Sequence, residues 1–185
     1  MDFQIKTDTL MLAKSLYDLN AEWFSANINN AVFIGYRKGA TELPIINDMI
    51  RDGAQCIRLE VWRPNCEECK DDCNTPILNM NMLDMEKYFV NDSVDMIWAA
   101  QVLEHLDGPE AFHMLKVFKD VARKIVVVET PYGEYKQGSI NNNPYEEHKS
   151  ALLPKHFEVA EYKTWVGHYP HEENPKHILS IYDKT

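Results

Sequence analysis

From about Thr7 to Asn27 the chain places Leu10, Leu12, Leu16, Leu19, Trp23 and Phe24 at helical rather than alternating intervals. The helix this predicts has Asp8 or Thr9 as its cap. Ala31–Ile34 is a short apolar run broken by Gly35, the mark of a buried strand. Glu42 to Ile50 predicts a second helix, with Pro44 in its first turn and Gly53 as its stop. Gln55–Val61 alternates Ile57, Leu59 and Val61 and predicts a second strand, followed by a polar loop from Trp62 to Pro76. A weak third strand is expected at Ile77–Met80. A fourth follows at Val94–Ala100, apolar on both faces. Asp107 as cap and Pro109 in the first turn open a helix from Gly108 to about Arg123. Ile125–Val128 is continuous and β-branched, as expected of a strand covered on both faces. Beyond a long polar loop, Phe157–Val166 and Ile178–Tyr182 read as two closing strands.

Strands alternating with helices place the chain in the α/β class: a three-layer, Rossmann-like sandwich around a mostly parallel sheet of roughly seven strands. Residues 1–30 form a helical segment and 31–185 the core of one domain, since no repeat or long Gly/Ser/Pro linker divides them. In such sheets ligands lie beyond the carboxyl ends of the strands. That rule gathers Gly35–Gly39, Glu60, Asp84, Ala99–Gln101 and Thr130–Pro131 along one edge.

Composition narrows the partners. Nineteen Lys+Arg against 29 Asp+Glu give a formal net charge of -10. An acidic chain with only Arg37-Lys38 and Arg123-Lys124 as basic pairs lacks the cations that bind a nucleic-acid backbone. There is no apolar window long enough for a membrane span and no signal-peptide pattern, so a cytoplasmic protein is expected. Cys66, Cys69 and Cys73 cluster, but one CxxC without a second pair points to free thiols rather than zinc, and Cys56 falls in a strand. His168, His171 and His177 are irregularly spaced and read as a solvated hairpin. No metal site is expected.

Gly35 and Gly39 across a strand-to-helix turn allow a ligand close to the backbone. Glu60 ends the next strand about 20 residues on, where dinucleotide-binding folds hold ribose hydroxyls. Asp84 can accept a hydrogen bond from an adenine amino group or cap a helix. The run VDMIWAAQVLEHL (Val94–Leu106), followed by a Pro-started helix, resembles class I S-adenosylmethionine-dependent methyltransferases of the "VLEHL" type. VVVETPYGE (Val126–Glu134) and NPYEEHKSALLPKHF (Asn143–Phe157) are similar to the same group's fifth strand and substrate-side loop. The resemblance implies S-adenosylmethionine as cofactor. Gly35, Tyr36 and Gly39 would then line its methionine end, Glu60 its ribose, Asp84 and Met85 its adenine, and Ala100 and Gln101 the sulfonium region.

The first motif departs from the group, with Phe33 and Arg37 where an acid and a glycine are usual, and Glu42 or Glu104 is the candidate to compensate. His148 and His105 are the candidate general bases, since histidine titrates near neutrality. The position after the fourth strand lacks the Asn/Asp-Pro-Pro-Tyr element of nucleic-acid amino-methyltransferases, which favours a small-molecule acceptor. The acceptor wall must come from the N-terminal helix and the Tyr132–Leu153 loop, or from a second subunit in a homodimer. Two other readings stand beside methyl transfer. One is a catalytically degenerate domain serving as a binding or partner subunit. The other is a nucleotide binder that places Arg37-Lys38 on a phosphate.

Overall fold

The computed structural model describes residues 2–9, 11–38, 40–168 and 174–185. In chain order the elements are α1 (Leu12–Leu19), α2 (Ala21–Asn27), β1 (Asn30–Ile34), α3 (Leu43–Arg51), β2 (Gln55–Glu60), α4 (Arg63–Cys69) and β3 (Ile77–Asn79). They continue with α5 (Met85–Tyr88), β4 (Val94–Ala100), α6 (Gly108–Val121), β5 (Ala122–Pro131), α7 (Pro154–Val159), β6 (Lys163–Gly167) and β7 (His177–Asp183). The seven strands form one sheet in the order β3-β2-β1-β4-β5-β7-β6. β1 to β5 run parallel, and β7 enters antiparallel between β5 and β6.

Successive side chains of a strand point to opposite faces, so a strand apolar at every position serves two layers. Val32, Ile34, Ile97, Ala99, Val126 and Val128 meet Met114, Leu115 and Phe118 of α6 on one face. Ala31, Phe33, Met96, Trp98, Ile125 and Val127 meet Leu12 and Leu16 of α1, Phe24 of α2 and Ile46 of α3 on the other. The three-layer α/β sandwich expected from the pattern is therefore the fold. Asp107 caps α6 as expected: its side chain accepts from the Glu110 N–H at 2.9 Å, and Glu110 returns the bond to the Asp107 N–H.

Four local expectations change. The first helix is broken at Asn20, whose side-chain Nδ2 donates to the Leu16 carbonyl at 2.7 Å. That bond takes the acceptor a continuing helix would need, so Asn20 N–H turns to Tyr17 instead. Thr9 does bond the N–H of Met11, but Met11 itself is the residue before α1. The stretch 62–76 is not all loop, because Pro64 starts α4 and Cys66 and Cys69 point inward from it. Pro154 likewise starts α7, so Phe157 packs from a helix and β6 begins only at Lys163.

Buried polar groups hold the layers in register. Arg58 in β2 is 0% exposed; its Nη1 and Nη2 donate to the Cys69 and Thr75 carbonyls at 2.9 and 2.8 Å, and its guanidinium lies 4.7 Å from the Tyr36 ring centre. Asp95, 2% exposed, accepts from the Asn29 N–H at 2.8 Å and pairs with Arg123 at 2.9 Å and Lys124 at 3.6 Å. Burial alone would raise its pKa, but the Asn29 N–H and the two cations hold it below the usual aspartate value. The second basic pair of the sequence is thus spent on an internal charge.

Candidate functional site

The strand order reverses between β1 and β4, and ligands of such sheets sit outside the carboxyl ends at that switch. A cavity of about 760 Å³ opens there. Its size lies toward the upper end of the roughly 300–1,000 Å³ usual for small-molecule sites.

The floor is the turn after β1. Gly35 has φ +81°, and a β-carbon on it would lie 2.1 Å from Val102 Cγ1, so the position admits only glycine. Its N–H donates to the Leu59 carbonyl at 2.8 Å. Arg37, Thr41 and Glu42 continue the lining, with Arg37 exposed. Burial raises the Glu42 pKa above the usual carboxylate range. Tyr36 does not line the cavity as expected. Its side chain turns into the opposite layer, 2% exposed, where the hydroxyl lies 3.4 Å from Asp72 and the ring lies against Arg58. Gly39 lies outside the described residues.

Glu60 ends β2 in the lining, 6% exposed. Its Oε1 accepts from the Trp62 N–H at 2.6 Å. Burial pushes its pKa up to about 7, against the lowering effect of the Trp62 N–H and the Asn65 side chain. Asp84 and Met85, expected at the adenine, do not line the cavity. Asp84 pairs outward with Lys87 at 2.5 Å and Met85 is 0% exposed in the core, while Asn81, Met82 and Leu83 line the cavity in their place. The cause is local: the Asn81 side chain accepts from the Leu83 N–H at 3.0 Å and starts a short 3-10 turn that presents the residues just before Asp84.

Ala100 at the end of β4 and Gln101 just beyond it both line the cavity. Gln101 takes φ +56°, its N–H donating to the Glu129 carbonyl at 2.7 Å and its Nε2 lying 3.2 Å from His177 Nδ1. His177 also stands 3.2 Å from the Glu129 carboxylate, whose other oxygen accepts from the Ala13 N–H at the start of α1. His177 is therefore a half-buried part of the site and not the freely solvated residue expected. β7 brings it there by pairing His177 with Pro131 at the end of β5. His168 directly follows β6, and His171 lies outside the described residues.

The far wall is the loop after β5. Tyr135, Gln137, Asn143, Tyr145, Glu146 and His148 line the cavity, and α1 and α2 contribute nothing to the lining. The loop is tied down by Lys149 and Ser150, whose N–H groups donate to the Glu104 carbonyl at 2.8 and 3.1 Å. Gln137 Nε2 donates to the Glu146 carbonyl at 2.8 Å. His105 and His148, the two candidate bases, are brought together with ring centres 4.9 Å apart. Burial lowers the His105 pKa, so its ring is neutral at neutral pH. Glu104 beside it is 2% exposed, and neither carboxylate oxygen has a hydrogen-bond partner among the described residues. Burial, with added repulsion from Glu129 and Glu146, pushes its pKa up to about 8. Glu129 is the residue that sequence reasoning missed, because a Glu inside a β-branched strand carries no signal until β7 and α1 close on it.

The thiols stay outside this centre. Cys56, Cys66, Cys69 and Cys73 are free, and burial pushes the pKa values of Cys56 and Cys69 up to about 12. Among the described residues no helix is long and apolar enough to cross a membrane.

No protein-family model and no curated protein sequence matches the chain. Solved structures do. A SAM-dependent methyltransferase from Archaeoglobus fulgidus superposes with TM-score 0.67 at 14% identity, over 93% of this chain and 93% of that one. A SAM-dependent methyltransferase from Aquifex aeolicus gives 0.56 at 15% identity, over 82% and 81%. The 1,6-didemethyltoxoflavin-N1-methyltransferase of Burkholderia thailandensis, solved with bound 1,6-didemethyltoxoflavin and S-adenosylhomocysteine, gives 0.58 at 9% identity, over 91% and 75%. The chain has the class I fold of S-adenosylmethionine-dependent methyltransferases.

Proposed function

We propose that the chain transfers a methyl group from S-adenosylmethionine to a small-molecule acceptor. One observation carries the reading: in this fold, the switch-point cavity has the glycine-only turn at Gly35 on one side and the buried, cavity-facing carboxylate of Glu60 on the other. Gly35 leaves backbone room for the methionine end, Glu60 accepts from the ribose hydroxyls, and Asn81–Leu83 flank the adenine. Glu42 or Glu104 takes the place near the sulfonium of the acid that the first motif lacks, the cation favouring the ionised form that burial resists.

When bound, the sulfonium donor supplies an already activated methyl group. The protein's part is to align the acceptor in line with it and to take a proton where the acceptor must lose one. His105, held neutral by burial, and His148 stand on the loop side of the cavity for that task. The loop after β5 provides the acceptor wall within one chain, so this reading needs no second subunit. The net charge of -10 fits a small acceptor better than a nucleic acid. Four free thiols suit a reducing compartment such as the cytoplasm.

A second reading, a domain that binds a partner instead of a methyl donor, draws on Arg37, a cation in the lining beside the place of the sulfonium. Calorimetric titration of the reduced protein with S-adenosylmethionine and S-adenosylhomocysteine separates the two. Micromolar binding of both is expected. No binding up to millimolar ligand, with the protein folded, would hand the lead to the second reading.

A further inference from the structure

We propose that Glu104, His105 and His148 form a binding site for a first-row divalent metal ion, open to the cavity. The sequence shows no such motif, because two ligands are adjacent and the third lies on a loop 43 residues away; the fold brings them together. Among the described residues this is the constellation of His, Cys, Asp and Glu that can hold a metal, its three ligand atoms all within 4.8 Å of one another. Donors about 2.1 Å from one ion stand roughly 3–4 Å apart, so a closure of about 1 Å completes the site.

Two independent observations point to a cation. The first is the Glu104 carboxylate, buried in the lining with both oxygens unpartnered among the described residues. A buried carboxylate in that condition is costly unless something supplies positive charge or protons. The second is the orientation of the two imidazoles. His105 Nδ1 lies 3.3 Å from the Glu147 carbonyl and His148 Nδ1 2.7 Å from the Tyr135 carbonyl. A carbonyl only accepts, so the His148 ring, with the short contact, donates from Nδ1 and keeps the lone pair of Nε2. Backbone carbonyls fix the tautomer of metal-binding histidines in this way.

Two imidazoles and one carboxylate suit manganese, iron, cobalt or zinc better than magnesium or calcium, which prefer oxygen alone. Three protein ligands leave coordination positions free on the cavity side, the arrangement of sites that also bind water or a substrate atom. The site shares Glu104, His105 and His148 with the methyl-transfer reading but uses neither the turn at Gly35 nor Glu60, so metal binding and methyl-donor binding can fail separately.

The test is a titration of reduced, chelator-treated protein with Co²⁺, followed by its visible absorption and without any methyl donor present. We expect one equivalent to bind with the bands of a nitrogen–oxygen site and without thiolate charge transfer. His148→Ala, on the loop, and Glu104→Gln, which removes charge and keeps shape, should each weaken binding by about tenfold or more while circular dichroism shows the fold retained. Absence of binding up to about 1 mM Co²⁺ would overturn the proposal. So would affinity unchanged in both variants, or thiolate charge transfer, which would place the ion on Cys66, Cys69 and Cys73.

Discussion

Glu60 offers the sharpest test of how the cavity treats its donor. Its pKa stands near 7 because burial resists the charge, while a grip on two ribose hydroxyls needs the ionised form. The ionised fraction of such a group falls about tenfold between pH 8 and pH 6. Affinity for S-adenosylhomocysteine should fall with it. Glu60→Gln keeps an oxygen for the Trp62 N–H but loses the charge. At pH 8 it should cost about 1.5–3 kcal/mol of binding, the worth of a hydrogen bond to a charged group, or roughly ten- to hundredfold. Its affinity should also be flat across the same pH range.

The unliganded protein gives a second readout of the opposite sign. A carboxylate whose pKa is raised from 4.5 to about 7 on folding adds stability that is complete below pH 4.5 and lost as pH rises through 7. The loss amounts to at most about 3 kcal/mol. Glu60→Gln should therefore gain on the native protein in denaturant titrations as pH increases over that window. Calorimetry across the pH series measures the first effect. A native affinity that does not change with pH, or a Gln variant with the native slope, refutes the assignment of Glu60 to the ribose.

Gly35→Ala should cost about 2–4 kcal/mol in urea unfolding, from left-handed strain and overlap with Val102. Adding Val102→Ala should recover only the overlap, and a single variant as stable as the native chain would contradict the turn geometry. Asp95→Ala should lose about 1–3 kcal/mol at neutral pH, since it leaves the Asn29 N–H unpaired. Because Asp95 has its pKa lowered in the fold, that contribution is present above its usual value of 3.8 and disappears as pH falls further. Thermal melts of the two proteins should thus converge in acid, and a gap that widens in acid would count against the paired charge.

What the chain determines by itself is the layering. Met96–Ala100 and Ile125–Val128 are apolar at successive positions, and a period of two then demands cover on both faces, whatever the helices turn out to be. The Asp107–Glu110 box and Pro109 set the start of α6 from within four residues. The edge that carries Gly35, Glu60 and Ala100–Gln101 follows from the same alternation of strand and helix, because every parallel strand ends on one side. These are local or periodic features, and local features are legible.

The tertiary structure decided everything that depends on residues far apart meeting. α4 and α7 are too short for a period to show, and they form because Cys69 and Phe157 find apolar cover. Tyr36 leaves the ligand side because Arg58 and Asp72 wait for it in the other layer. Asn81 hands the lining to Met82 and Leu83 in place of Asp84. Glu129 and His177 meet only through the antiparallel insertion of β7, and Glu104 is enclosed only when the loop after β5 hangs its amides on the Glu104 carbonyl. A carboxylate's neighbours, and with them its charge state, are set by that closure and cannot be read from its position in the chain.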